Sequence, residues 1–386
     1  MEKKLNKLPL DGIIVLDLTN VLSGPYATFI LAELGANVIK IEKPDGDDSR
    51  KYGPFKNGKS GYFISLNRGK KSIVLDLKNI KDKGIFKKIL KKTDILIDNF
   101  KPGILEKIGF SWSYLSKNFP KLIHGKISGF GETGPYRNQP AYDVVVQAMG
   151  GIMSITGKNK ENMVRVGTSI GDITASLFCV IGVLTQLIRR NKTGTGSKLD
   201  LSMLDCQIAI LENSIARYSI ERKNPEPLGN HHPSISPFGS FRTMDSQIVI
   251  AIGNDKLFKK FCEVIDDREM INHDDYNCNL KRNYNMKKLK RRIEKKLLSN
   301  KTESWIKKLT VNKIPCSKIQ TIEDIVKNPQ VKNRKMILEY SDKSIKNLKL
   351  SGNPFKFSFM KDNNRIKLAP ELNQDEEEVL RFFEII

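Results

Sequence analysis

Cysteine is scarce in this chain and follows no pairing pattern. The five present (Cys179, Cys206, Cys262, Cys278 and Cys316) are odd in number and widely spaced, and none forms a CxxC pair. That excludes a disulfide framework and a cysteine-based zinc site, and it fits a reducing, cytoplasmic setting. Histidine is as sparse. His124, His231, His232 and His273 offer no HExxH-type spacing, so no metal site is expected. Long apolar runs are missing too. Only Ile173–Ile188 approaches the roughly 18 residues a membrane span needs, and it carries Thr174, Ser176, Thr185 and Gln186. A buried helix is the better reading, and no membrane partner is expected. The N-terminal stretch MEKKLNKLPLDG has positive charge but neither an apolar h-region nor a small-residue cleavage site, so it reads as neither signal nor transit peptide.

What is present is the composition of a folded protein, 39% apolar and 28% charged over 386 residues, enough for two domains. The net charge of +23 stands out. A basic surface attracts polyanions, phosphorylated small molecules among them; equally, a chain rich in Lys, Asn and Ile loads its exposed positions with lysine. The lysines are scattered, from Lys3 and Lys4 through Lys87, Lys88, Lys91 and Lys92, with no aromatic interleaving. The densest basic block, 279–308, has an apolar stripe at Leu289, Ile293 and Leu297, the pattern of helices with one solvated face rather than a nucleic-acid surface.

The first half alternates strand-like and helix-like segments. Strands are expected at Ile13–Asp17, Val38–Glu42, Ser72–Leu77, Asp94–Asp98 and Leu122–Ser128. Helices are expected at Tyr26–Leu34, closed by Gly35, and at Ile80–Lys92. This alternation argues for βαβ units around a parallel sheet, with ligands near the carboxyl ends of the strands. At 220–228 the texture changes to a charged, proline-bearing linker. Beyond it, Ser240–Thr243 and Ile248–Ile252 read as antiparallel strands and Lys256–Ile265 as a helix; a last helix is expected at Asp375–Phe383. The fold class is α/β: a large parallel-sheet domain interrupted by a smaller α+β domain.

Dinucleotide and ATP chemistry lack their machinery. The loop after the first strand reads TNVLSGP, with one glycine where GxGxxG is needed, and no GxxxxGK[ST] loop occurs. The segment most suggestive of chemistry is VGTSIGDITASLFCVIGVLTQLIRR, which places Asp172 beside Gly171 at the head of a long apolar helix. Two readings stand. Asp172 is an N-cap, its oxygen accepting orphan backbone N–H bonds. Alternatively, the positive helix end keeps it ionised as a nucleophile, with Gly171 leaving room for substrate.

Several further blocks come in order: LDGIIVLDLTNVLSGPYATFILAELGANVIKIEKPDGDDSR, LNRGKKSIVLDLKN, DILIDNFKPGILEKIGF, ISGFGETGPYRNQPAYDVVVQAMGGIMSITG, TGTGSKLDLSMLD, IPCSKIQTIEDIVKNPQVKNRKM, NPFKFSF and LAPELNQDEEEVL. With the Asp172 segment, they resemble the class III coenzyme A transferases (CaiB/BaiF type), the group of formyl-CoA, carnitine–CoA and α-methylacyl-CoA racemase-type enzymes. The resemblance implies a Rossmann-like large domain built from both ends of the chain: residues 1–219, a linker at 220–228, a small domain at 229–325, and a returning part at 326–386. It also implies an interlocked homodimer. Asp172 becomes the catalytic carboxylate of a CoA transfer from an acyl-CoA to a carboxylic acid, through a mixed anhydride and an aspartyl-CoA thioester. Coenzyme A is then a substrate, not a resident cofactor. By motif match, the CoA and substrate site takes Leu22, Ser23, Lys43, Leu75, Asp76, Leu77, Lys78, Asn99, Phe100, Lys101, Lys107, Ala141, Tyr142 and Asp143. Gly150 and Gly151 are candidate oxyanion donors.

Within the family, racemase-type members place a histidine before the acid of the AxD segment. Tyr142 stands there in this chain and is a poor base at neutral pH, and His124 reads as a strand histidine, so transfer is favoured over racemisation. A non-catalytic basic binding protein is the remaining alternative. The consecutive glycines of oxalate-type members are absent from 229–240, which points to a larger acid.

Overall fold

The computed structural model describes residues 7–359 and 366–386. The first half of the N-terminal stretch, with Lys3 and Lys4, lies outside them. The chain divides into two compact units. One comprises Met1–Ile152, Arg165–Ala216 and Pro329–Ile386; the other comprises Met153–Val164 and Arg217–Asn328. The segment 153–164, placed with the large domain on sequence, thus groups with the smaller unit.

The larger unit is built on six parallel strands: β1 (Ile14–Asp17), β2 (Asn37–Glu42), β3 (Lys71–Val74), β4 (Ile95–Asp98), β5 (Ile123–Ser128) and β6 (Lys198–Ser202). They lie in the order β3-β2-β1-β4-β5-β6. The apolar runs of the central strands β1 (IVLD) and β4 (ILID) follow from burial on both faces. Val15 joins a core with Val38, Ile95 and Ile97, whereas its neighbour Leu16 joins another with Ile39, Leu96 and Phe86. The strand order reverses between β1 and β4. In a doubly wound sheet that reversal opens a crevice at the carboxyl ends of the strands.

The outer edge of β3 is closed by the C-terminal segment. Ser72 N donates to the Asp375 carboxylate at 2.8 Å, Val74 N donates to the Asn373 side chain at 2.7 Å, and Asp375 N returns a bond to Ser72 O at 3.0 Å. The helix Glu376–Phe382 follows and buries Val379 and Leu380.

Helix α1 (Ser23–Glu33) begins three residues before the expected start, because Gly24 and Pro25 belong to its first turn rather than to a loop. A proline there loses nothing, since the first N–H groups of a helix have no internal partner. Gly35 follows the helix with φ +106°, a conformation that suits glycine. The other helices that position the site are α2 (Gly61–Asn67), α3 (Ile80–Leu90), α4 (Asp143–Met149), α5 (Ile170–Thr193) and α6 (Met203–Ala209). On length and composition α5 could cross a membrane. The buried helix expected from sequence is buried along one side only: Ala175, Cys179 and Val183 are buried, but Leu177, Ile181 and Ile188 are exposed.

In the smaller unit, β7 (Phe238–Arg242), β8 (Gln247–Ala251) and β9 (Cys316–Lys318) form an antiparallel sheet in the order β9-β8-β7. The stripe Leu289, Ile293 and Leu297 on the helix Met286–Leu297 is fully buried in this unit's core with Phe241 and Ile248.

Candidate active site

A cavity of about 590 Å³ opens at the switch-point crevice, within the range of a small-molecule site. Its walls are the loops that leave the strands. Thr19 to Ser23 follow β1, Lys43 to Asp48 follow β2, Leu75 to Lys78 follow β3, Asn99 to Pro102 follow β4, and Gly129 follows β5. Asp172, from the first turn of α5, completes it.

The floor is held by buried charges. Asp17, at the end of β1, accepts from Thr19 and Thr28 and pairs with Lys70 at 2.9 Å. Burial would push its carboxyl up, but Lys40 and Lys70 outweigh that and hold it well below the ordinary carboxylate range. Lys40 Nζ lies 2.7 Å from Asp47 and also donates to Thr19 O at 2.7 Å. Above them, Asn20 N donates to Asn99 Oδ1 at 2.9 Å, and Asn99 Nδ2 donates to Asn20 O at 2.8 Å. Between these anchors Val21 is fixed at φ +68°. For a β-branched residue this is a strained, left-handed backbone, of the kind that persists where surrounding bonds over-determine it.

Asp172 is reached from two sides. Ser23, at the head of α1, lines the cavity with Asp172 and draws its carboxyl pKa down, and Asn99 Nδ2 donates to Ser23 Oγ at 3.3 Å. Ser176 ties the two helices together, donating to Ser23 O at 2.5 Å and to Asp172 O at 2.7 Å. The capping reading of Asp172 fails. The helix begins at Ile170, so Asp172 sits inside the first turn, and the N–H of Gly171 is taken by Asp143 Oδ1 at 2.8 Å. Nor is its carboxyl shifted downward, as a helix end alone would have it. Burial, and then the charge of Asp143, push its carboxyl up to about 7, against the opposing influence of Ser23. Tyr62 of α2 feels the same carboxylate: burial, then Asp172, push its hydroxyl up to about 12.

The glycines play another part than expected. Gly171 is buried and leaves no room for substrate; a Cβ there would meet Val146 Cγ2 at 2.7 Å and Asp143 Oδ1 at 3.0 Å. At Gly150 a Cβ would meet the Gln207 Cβ at 2.7 Å, a packing requirement, and neither Gly150 nor Gly151 lines the cavity. Gly171→Ala is therefore expected to lose about 1–3 kcal/mol of stability, as overpacked sites do. It should also lower kcat with little change in KM; thermal unfolding and steady-state kinetics check both.

Of the residues named from sequence, Leu22, Ser23, Lys43, Leu75, Asp76, Leu77, Lys78, Asn99, Phe100, Lys101, Ala141, Tyr142 and Asp172 meet around the cavity. Two do not. Lys107 ends the short helix Ile104–Lys107, exposed and away from the cavity wall. Asp143 is buried behind the wall. Lys43 is at the cavity but its charge is paired with Asp48 at 2.7 Å. Sequence reasoning missed Arg137, an exposed guanidinium on the wall with no ion pair among the described residues; a lone arginine in the loop GPYRNQP was its only signal. It also missed Asn20, Asp48 and Tyr52. His124, read as a strand histidine, is buried in β5, 2.6 Å from Asp98, and no histidine lines the cavity.

A doubly wound sheet with an apolar-walled crevice, cationic side chains on its wall and the Asp172 carboxylate beside them is the arrangement of a small-molecule site. The particular family follows from comparison. The chain belongs to CoA-transferase family III, whose model matches residues 10–376. It is 39% identical over 370 residues to an acetyl-CoA:oxalate CoA-transferase of Acetobacter aceti, covering 95% of this chain and 94% of that one. It is 34% identical to a succinyl-CoA:glutarate CoA-transferase of Mus musculus, over 97% of this chain and 86% of the relative. A crystal structure of a CaiB/BaiF family protein from Brucella suis superposes with a TM-score of 0.86 at 32% identity, over 98% of this chain and all of that one. The chain is thus a CoA-transferase, moving CoA between an acyl-CoA and an acid.

Proposed function

We propose that the transfer runs covalently through Asp172, and the observation that carries this is the position of its carboxylate at the cavity beside Ser23; burial and Asp143 lift its pKa to about 7. Its oxygen attacks the thioester carbonyl and the C–S bond breaks, giving a mixed anhydride and CoA thiolate. The thiolate then attacks the Asp172 carbonyl and expels the donor acid, leaving an aspartyl-CoA thioester. The acceptor carboxylate reverses the sequence: it displaces the thiolate to form a new anhydride, and the thiolate takes the acyl group and frees Asp172. A raised pKa makes the carboxylate a better nucleophile, and bond-for-bond exchange needs no ATP. Incubation with acyl-CoA and hydroxylamine should modify Asp172 by mass spectrometry; an unmodified Asp172 in an active enzyme would refute the covalent route.

Racemisation is disfavoured because no histidine lines the cavity. The catalytic site likewise speaks against a merely basic binding protein. The relatives named for oxalate and glutarate favour a short dicarboxylic acid as one partner. With an oxalate enzyme at 39% identity, the missing glycine run no longer argues for a larger acid.

The CoA phosphates are assigned to Lys78, Lys101 and Arg137, which line the cavity without an ion pair among the described residues. Arg137→Ala with Lys101→Ala should raise KM for acyl-CoA about tenfold or more and leave kcat nearly unchanged, the pattern of lost uniform binding. Steady-state kinetics at two salt concentrations test it. A homodimer is proposed as well, supported by the exposed apolar side chains Leu177, Ile181 and Ile188 on α5 and Val144, Val145 and Met149 on α4. A cytoplasmic location is supported by five cysteines that are all free thiols.

A further inference from the structure

We propose that Asp143 is the external cap that aligns the nucleophile's helix, a positioning residue rather than a contact for CoA; the kinetic part of this rests on the covalent reading above. Helix α5 starts without help from its own sequence. Ser169 stands at the N-cap but makes no side-chain capping bond, whereas Ser111 and Ser202 cap their helices in the usual way. The missing acceptor comes from 28 residues earlier in the chain, where Asp143 Oδ1 takes the Gly171 N–H at 2.8 Å.

The acceptor is itself held. Gln147 Nε2 donates to Asp143 Oδ2 at 2.8 Å, and Gln147 Oε1 accepts from Val166 N at 2.9 Å. Arg165 Nη1 lies 3.5 Å from the same Asp143 oxygen. One carboxylate and one amide therefore fasten α4 to both the approach and the first turn of α5. Gly171 is the residue that permits the contact, since a Cβ would press on Asp143 Oδ1. Gly171 directly precedes Asp172 in the chain, so a shift at this bond is a shift of the nucleophile. Displacements of that kind, of about 1 Å, cost roughly 10²-fold in rate.

The negative charge has a second consequence. Asp172 is faced by Asp143 from α4, by Ser23 from α1 and by Tyr62 from α2. Arg165 pairs with Asp143, and Lys43, Lys78, Lys101 and Arg137 stand elsewhere around the cavity. Of these groups Asp143 is the one whose charge lifts the Asp172 carboxyl, second only to burial. Cap and charge are separable by substitution, because asparagine keeps an oxygen acceptor and loses the charge.

Asp143→Ala is expected to lower kcat about 10–100-fold while KM for acyl-CoA stays within about threefold. Asp143→Asn should recover most of that loss and move the acid limb of the pH profile to lower pH. Gln147→Met, which keeps the volume and drops both holding bonds, should lower kcat in the same direction by a smaller factor and serves if Asp143→Ala fails to fold. NMR titration of Asp172 in the ¹³C-aspartate-labelled full chain should show its pKa lowered in Asp143→Asn. The assignment is overturned if Asp143→Ala raises KM for acyl-CoA tenfold at unchanged kcat, or if Asp172 titrates identically in wild type and Asp143→Asn. If the wild-type chain transfers no CoA, the covalent reading fails, and the titration still decides the role of Asp143.

Discussion

Asp172→Asn is expected to reduce CoA transfer by about 10⁴ or more, the scale of removing a covalent nucleophile, and to make the protein more stable at pH 8. The two effects have one origin. Burial and Asp143 lift the Asp172 carboxyl from 3.8 to about 7. In the folded state the group binds a proton more tightly than in the unfolded chain. Between pH 3.8 and 7 the folded state therefore carries more protons, and the stability contribution falls as pH rises through that window. Below it there is no penalty; above it the penalty is complete. Asparagine carries no charge at any pH and is expected to recover about 1–4 kcal/mol, the lower end allowing for the part of the side chain that faces the cavity. Thermal unfolding of both proteins at pH 4 and pH 8 checks the sign: the midpoints should nearly coincide at the lower pH and separate at the higher. A lower midpoint for Asp172→Asn at pH 8 would mean that the carboxylate is a structural anchor.

What the sequence could reveal depended on whether the cause of a feature was local. Five of the six strands were legible because a sheet covered on both faces favours apolar runs, and Val15 and Leu16 serve opposite cores; β6, which reads KLDLS with Asp200 exposed, was not. The site loops were legible because they follow those strands, so motifs such as NVLSGP and DNFKPG led to residues that meet around the cavity. The start of α1 was not, since Gly24-Pro25 reads as a turn unless the unpaired first N–H groups of a helix are taken into account. Long-range polar partners were hidden altogether. Lys70 and Asp17 are 53 positions apart, and nothing local marks them as a buried pair. The place of Asp143 was hidden for the same reason: its neighbours Ala141 and Tyr142 line the cavity, and only the three-dimensional course of α4 turns its own carboxylate toward Gly171. Lys107 matched a motif but is exposed and does not line the cavity.

The pH profile of kcat/KM offers the second large effect. If Asp172 attacks as the carboxylate with a pKa of about 7, kcat/KM should fall tenfold per unit below that value, to about one hundredth of its plateau at pH 5. An aspartate held ionised by a helix end would show no such loss. Unfolding does not mimic it. The buried pairs that brace the fold have carboxyls shifted the other way: Asp98 is lowered to about 2, its burial outweighed by His124 and Lys126, and Asp17 lies lower still. Their stabilisation is present above the unfolded value and is lost only as pH drops through the acid range below it. At pH 5 the protein should therefore be folded and nearly inactive, and return to pH 8 should restore full rate at once. Circular dichroism beside the kinetic profile separates the two processes. A flat profile from pH 8 to pH 5 in a folded protein would show that the reacting carboxylate has an ordinary pKa.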